Sequence, residues 1–361
     1  MSRLSILIAV LFAMACSSRS AAPLPILQHS DAAPSIESAH NLVEQKSNLK
    51  TKVEGARRDV GYYACPGAGQ IEYLSNPSRA HSNVLVFAGK FAGQAPCGEL
   101  VSGLKQPLGL VVDGRTHDLY VANIGGEDIL VFHRGETTPY NTYIDNANPG
   151  HEHQATVDVA VTRDRVVIAS NSGEGSGGGG GSISTWLMGA KGGTFVGHFP
   201  MPNVEQGGFV TVGENGTIYF NEVELGVLKT FIWSVSCPAG ACGTMTQALS
   251  QPFNGNYGLA TDAEGDLVVS DTGATYGIGS IETFELPNPI PSTFSIVGRS
   301  VGITINPVDQ HLFVANDLSD SADEYIYPSG VFVGVSQQGA EIRPALRSIP
   351  ASLPPLRKPP L

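Results

Sequence analysis

The sequence predicts an all-β chain folded as a six-bladed β-propeller of four-stranded antiparallel blades, and three observations carry that reading. The 361 residues combine 43 Gly and 24 Pro with a charged fraction of only 15%, which suits many short strands joined by tight turns. A phrase built as strand, polar turn, strand recurs in "GLVVDGRTHDLYVAN" (109–123), "DVAVTRDRVVIASN" (158–171), "GFVTVGENGTIYFNE" (208–222), "GLATDAEGDLVVSD" (258–271) and "GITINPVDQHLFVAN" (302–316). The last residues of these phrases, Asn123, Asn171, Glu222, Asp271 and Asn316, fall 45 to 51 positions apart, the period of a propeller blade.

Each element follows in chain order. Arg3, the apolar run "LSILIAVLFAMA" and the small residues Ala13 and Ala15 read as an export signal over 1–16, too short to span a membrane as a helix. Cys16 follows at once, so "FAMAC" resembles the bacterial lipobox, with Ala13 where that motif prefers Leu. Two outcomes stay open, lipidation of Cys16 or ordinary cleavage. Residues 17–58, rich in Ser, Ala and Pro without strand alternation, read as a flexible tether. The propeller is expected over 59–340, and 341–361, with its many prolines, as an extended tail.

Apart from Cys16, four cysteines remain, an even number that fits an oxidising compartment. "CPAGAC" closes a short loop tipped by Pro and Gly, which pairs Cys237 with Cys242 and leaves Cys65 for Cys97.

Within the repeats, turns made of Asp-Gly, Glu-Asn-Gly, Glu-Gly-Asp or Asn-Pro lie between Val/Ile/Leu runs, a hairpin signal. Third strands follow in "DILVFH", "SISTWLM", "LKTFIWSV", "SIETFEL" and "EYIYP", and fourth strands such as "YNTYID" and "TFSIVG" complete the units. Phe132, Trp186, Trp233, Phe284 and Tyr327 recur on the third strands, where a repeated aromatic packs between blades. A sixth, divergent unit lies upstream in "VGYYACPGAGQIEYLS" and "NVLVFAG" and lacks a first strand of its own. Residues 49–53 or the segment after Gly339 could supply it.

These units resemble the NHL-repeat group of six-bladed propellers: "QPLGLVVD…LYVAN…DILVF" matches that pattern almost throughout, and "YGLATD…LVVSD…IETF" over most positions. The resemblance implies the fold over about 60 to 335 and leaves the function open, since such propellers serve as enzymes, binding modules and scaffolds. It extends distantly to gluconolactonase-like propellers, whose axial cation is held by a Glu, an Asn and an Asp, the last two just before the Gly that opens an inner strand. The matching positions here are Leu108, Val157, Gly207, Tyr257 and Val301, so those ligands are absent.

In a propeller the turns between second and third strands share a face with the links between blades, and loops there carry function. Asn123, Asn171, Glu222, Asp271 and Asn316, with Asp317 beside the last, are therefore expected as a polar ring near that face. Converging amides and carboxylates suit a small polar ligand, a glycan or a divalent cation such as calcium, for which Glu222, Asp271 and Asn171 are the candidate ligands. The competing structural role is the ordinary one for Asn and Asp at strand ends, fixing the next turn through backbone amides. His151 and His153 flank Glu152 in a link on the same face and read as a solvated loop. "GRSVG" fits G-x-S-x-G, but Ser300 falls between two strands and not on the strand-to-helix turn that motif requires.

A net charge of −12 with no cluster of Lys and Arg excludes nucleic acid as a natural partner. The sequence thus points to an exported module, periplasmic, outer-membrane-anchored or extracellular, that touches a membrane only through a lipid anchor. It would bind a small polar ligand, a glycan or a protein; the alternative is a metal-assisted hydrolase or lactonase with its site on the central axis.

Overall fold

A computed structural model describes residues 61–65, 69–77, 82–89, 93–144, 155–172, 181–201, 206–224, 229–272, 278–306, 310–316, 321–336 and 346–349. The expected signal, Cys16 and the tether lie outside these residues. So do Asp317, 151–153 and most of the glycine run after Ser172.

Six antiparallel sheets are formed by the described residues. Blade 1 holds β1 (Tyr62–Tyr63), β2 (Ile71–Asn76), β3 (Asn83–Ala88) and β4 (Gly98–Leu100). Blade 2 holds β5 (Pro107–Val112), β6 (Leu119–Asn123), β7 (Asp128–Phe132) and β8 (Asn141–Ile144). Blade 3 runs through β9 (Ala155–Val161), β10 (Val166–Ser172), β11 (Ser182–Leu187) and β12 (Thr194–Pro200), and blade 4 through β13 (Gln206–Val212), β14 (Thr217–Glu224), β15 (Lys229–Ser236) and β16 (Thr246–Phe253). Blade 5 comprises β17 (Asn256–Thr261), β18 (Leu267–Asp271), β19 (Ile278–Phe284) and β20 (Ser292–Val297); blade 6 comprises β21 (Ser300–Asn306), β22 (His311–Asn316), β23 (Ser321–Ile326) and β24 (Val331–Val335). The last strand, β25 (Leu346–Ile349), returns to pair with β2, Ile349 opposite Ile71 and Leu346 opposite Leu74.

That pairing answers the question left by the incomplete first unit: the segment after Gly339 supplies the innermost strand of blade 1. The inner strands β5, β9, β13, β17, β21 and β25 each touch the next, and β25 touches β5 again, so the ring is closed. Closure removes the edges that an open sheet of this size would expose around the axis.

Burial follows from the alternation of each strand. One apolar core lies between every two neighbouring blades: Leu110, Val121 and Phe132 meet Tyr73 and Val86 between blades 1 and 2, while Trp186 packs with Tyr120 and Tyr143 between blades 2 and 3. Phe284 serves blades 4 and 5, Tyr327 blades 5 and 6, and Leu74, Phe87 and Phe313 fill the joint between blades 6 and 1. The third-strand aromatics thus pack between blades, as their repeat position requires. Where inner strands approach most closely only glycine fits: a Cβ on Gly109 would lie 1.9 Å from Oδ1 of Asp158, and one on Gly258 2.9 Å from the backbone nitrogen of Ile303.

Both disulfides are present. Cys65–Cys97 ties the two-residue strand β1 to β4, and Cys237–Cys242 closes the turn after β15. They fit an oxidising, exported environment. Among the described residues no helix is long and apolar enough to cross a membrane.

Candidate functional site

The polar ring sits where second strands end and third strands begin. Asn123 stands opposite Asp128, Asn171 opposite Ser182, Glu222 opposite Phe231, Asp271 opposite Ser280 and Asn316 opposite Ser321. Blade 1 adds a member that the sequence reading passed over, Asn76 opposite Asn83. Its signal is "YLSN", parallel to "IASN", and it was hidden because no first strand precedes it. All six ring residues are buried.

What they do is clearest in blades 2 and 6. Asn123 Oδ1 accepts from the backbone N–H of Lys105 at 2.5 Å, while its Nδ2 donates to Gly103 O and to Asp128 Oδ1. Asn316 repeats the arrangement: Oδ1 accepts from Arg299 N–H, and Nδ2 donates to Val297 O and Asp323 Oδ2. In both blades one amide clasps the incoming link and the third strand together, because an amide alone offers an acceptor and two donors at one position. Asp271 holds the equivalent amide, that of Asn254, at 3.4 Å. Asn171 donates instead to the hydroxyls of Ser182 and Ser184. Each of these bonds stays within a blade or reaches the link that enters it.

Carboxyls in this layer respond to burial. Asp128 is pushed up by burial, opposed by the bond from Asn123. Glu282 is pushed up by burial and then by the negative charge of Asp271, with Ser280 opposing. Among the described residues no group of three or more His, Cys, Asp and Glu side chains is placed to hold a metal ion.

The axis has a different character. Five inner strands carry a bulge near their start, opposite the second-strand residue just before the ring member. The bulged residues include Leu108, Val157, Tyr257 and Val301; in blade 4 the register assigns Gly208 to this place, one residue on from the Gly207 expected from sequence. A β-bulge re-aims the residues beside it, yet none of these five can ligate a metal through its side chain as Asp, Glu, Asn or His does. One inner strand does carry a carboxylate. Asp158 stands where three blades have Gly, is buried, and accepts the backbone N–H groups of Val159 and, across the blade boundary, Val210, each at 2.9 Å. It staples blade 3 to blade 4. Ser300, of the G-x-S-x-G run, is buried at the start of β21 opposite Asn316.

At the opposite, turn-face end, Val111, Ala160, Val161, Thr211, Val212, Ala260, Thr261, Thr304 and Ile305 line a cavity of about 140 Å³. Only a shared axis brings five inner strands to one cavity. These nine residues carry no ionisable side chain.

Two surface features remain. On blade 2, His133 and Tyr140 stack at 3.6 Å, and Asp118 holds both, His133 Nδ1 and the Tyr140 hydroxyl lying 2.8 Å from its two oxygens. On the third and fourth strands of blades 5 and 6, Ile278, Val297, Ile326, Val331, Phe332 and Val333 are exposed, as is Ile290 in the link between β19 and β20. The blades meet through Phe294, 6.1 Å from Tyr325, which lies 5.5 Å from Phe332; by strand alternation the Ile278–Val297 pair lies on the side of blade 5 away from blade 6, and the Ile326–Val331 pair on the side of blade 6 away from blade 5.

No family model matches this chain, and no curated protein matches it in sequence. Solved structures do. A chain of a nidogen/laminin complex superposes with a TM-score of 0.60 at 12% identity, over 79% of this chain and 100% of that one. A protein of unknown function from Bacteroides caccae gives 0.53 at 10% identity, over 78% and 99%. A putative 6-phosphogluconolactonase from Bacteroides uniformis gives 0.52 at 14% identity, over 81% and 88%. At such identities the likeness is one of fold, and it makes this chain a distant β-propeller similar to these.

Proposed function

We propose that this protein is an exported β-propeller that binds another protein through the outer strands of blades 5 and 6. The observation that carries this reading is the exposure of apolar side chains on those strands: Val297 is 69% exposed, Ile278 56% and Val331 55%. Ile278 pairs with Val297 and Ile326 with Val331, so each of the two blades presents a cross-strand apolar pair to solvent, and clustered exposed apolar side chains mark interaction sites. The strand β24, "VFVGV", also carries no charge and no proline along its sequence, so it lacks two devices that discourage an edge from pairing. The nidogen/laminin complex, in which a chain of this fold is held with a protein partner, is consistent with such a role.

The catalytic alternative has less to stand on. Asn123 and Asn316 are committed to clasping their links, and the bulged axial positions offer no ligand set. A calcium-assisted lactonase built on Glu222, Asp271 and Asn171, or a glycan held by the ring with Asp317, would need those side chains to converge.

Export is attributed to the segment 1–16. The mass of the mature N-terminus separates a lipidated Cys16 from simple cleavage, and with it an anchored from a free periplasmic or extracellular protein.

The binding reading is tested by chemical cross-linking in an envelope extract with the wild type and a Val297→Asp, Phe332→Asp variant of unchanged melting temperature. Partners cross-linked to the wild type should be lost from the variant. Retention of the same partners, or a calcium-dependent rise in melting temperature together with lactone turnover, would refute it.

A further inference from the structure

We propose that the turn-face end of the central axis binds a small oxyanion, a phosphate- or carboxylate-sized group that takes hydrogen bonds from the hydroxyls of Thr211 and Thr304 and its counter-charge from Arg347. Three observations, independent of the exposed strands of blades 5 and 6, carry it.

The first is register. In each of blades 2 to 6 one inner-strand residue stands opposite the second-strand residue three positions before the ring member: Val111 opposite Tyr120, Ala160 opposite Ile168, Thr211 opposite Tyr219, Ala260 opposite Val268 and Thr304 opposite Phe313. All five line the axial cavity. In blade 1 the ring member is Asn76, and the residue opposite Tyr73 is Arg347 of β25. Because β25 closes the ring between β21 and β5, Arg347 holds the sixth place of this tier. It is the one charged residue of the six.

The second is a pair of uncommitted hydroxyls. Thr211 and Thr304 are each 4% exposed, and neither hydroxyl has a hydrogen-bond partner among the described residues. Thr261, which lines the same cavity, instead donates its hydroxyl to Val212 O at 3.1 Å. Buried polar groups are normally bonded, so two open hydroxyls on one wall call for a polar occupant. What the cavity exposes is mostly polar as well.

The third is charge balance. An arginine stays protonated throughout the range in which proteins are folded, and a charge drawn away from water needs a partner. The nine lining residues supply none. Two residues beyond the tier lie Asp113 and Asp262, and both are used by their own surroundings. Asp113 accepts from Arg115 N–H and the Thr116 hydroxyl, while Asp262 accepts from the N–H groups of Glu264 and Asp266 and from the Tyr327 hydroxyl. Two hydroxyl donors and a guanidinium in one tier suit the oxygens of a carboxylate or phosphate. A volume of about 140 Å³ is close to that of a cavity known to bind benzene, so a ligand of about six heavy atoms fits. The net charge of −12 opposes an anion from a distance, but at physiological ionic strength that field is screened beyond about 8 Å.

The test uses the full chain. Methyl resonances of Val161, Val212 and Ile305 should shift saturably on titration with inorganic phosphate or with acetate at constant ionic strength, with a Kd of about 1 mM or tighter for the better of the two. Glycerol, uncharged and of similar size, should leave them in place at the same concentrations. Thr211→Val with Thr304→Val keeps the shape of the wall and should weaken binding of that anion about tenfold or more. Arg347→Gln should abolish saturation, and Arg347→Lys, which keeps the charge without the fork, should bind with intermediate affinity. Should Arg347→Gln lower the melting temperature, Arg347→Lys and the threonine pair carry the comparison. The proposal is overturned if neither anion moves the methyls, if glycerol moves them as far, or if the threonine pair or a folded Arg347→Gln variant binds as the wild type does.

Discussion

Glu282 and Asp271 show how one residue choice alters the ring. Four of its six members are amides, which satisfy a link and a third strand without bringing charge; Asp271 brings a carboxylate, and Glu282 stands beside it half-buried. Burial and that neighbour hold the Glu282 carboxyl above its ordinary value of 4.5 in the folded chain. A carboxyl raised on folding is protonated more readily in the native state. Its penalty is therefore absent below the ordinary value and develops as pH rises through the raised one. Glu282→Gln should accordingly match the wild type in urea stability at about pH 3.5 and exceed it at pH 7. A variant less stable than wild type at pH 7 would show that the charge is compensated, as a bound cation would do.

At the scale of elements, the two disulfides divide the work unequally. Cys65–Cys97 spans 32 positions and Cys237–Cys242 five. Chain-entropy arguments assign about 4 kcal/mol to the first and about 2 kcal/mol to the second. Cys65→Ser with Cys97→Ser should thus lower urea stability about twice as much as Cys237→Ser with Cys242→Ser; equal losses would contradict the loop-length argument. Both pairs were legible in the sequence, and so were five complete blades, because strand, turn and strand recur with hairpin chemistry at a constant period. The closing strand was left open between two segments: "LRSI" is four residues among prolines, and only the unpaired edge of β2 identifies it. The ring was legible as positions, but its clasping was not. Asn123 is held by Lys105 and Gly103, and Asn316 by Arg299 and Val297, backbone groups whose approach depends on how one blade enters the next. The blade 4 axial position slipped by one because Gly207 and Gly208 are indistinguishable as text.

For the whole molecule, stability depends on closing a ring whose last contact is the shortest. Six cores act in series, and the joint between blades 6 and 1 is reached by β25 through only four paired residues. That joint also buries acidic side chains: Glu72 and Glu324 are 0% exposed, and Glu324 lies 2.6 Å from His311. Leu74 shares a strand face with Glu72, and Phe313 pairs with Glu324, so water reaching the apolar core would also rehydrate these carboxyl groups. An opened ring gains solvation there and loses the Leu74, Phe87 and Phe313 contacts. Ending the chain after residue 345 removes β25 and should lower the melting temperature by about 5 °C or more, since its backbone hydrogen bonds to β2 and its contacts with the inner strands β5 and β21 go together. It should also raise binding of a hydrophobic dye. Ending it after Pro350 keeps β25 and should leave the melting temperature nearly unchanged, so calorimetry on the pair separates closure by the strand from any effect of the tail. An unchanged melting temperature in the shorter chain would mean that the ring is held shut without β25.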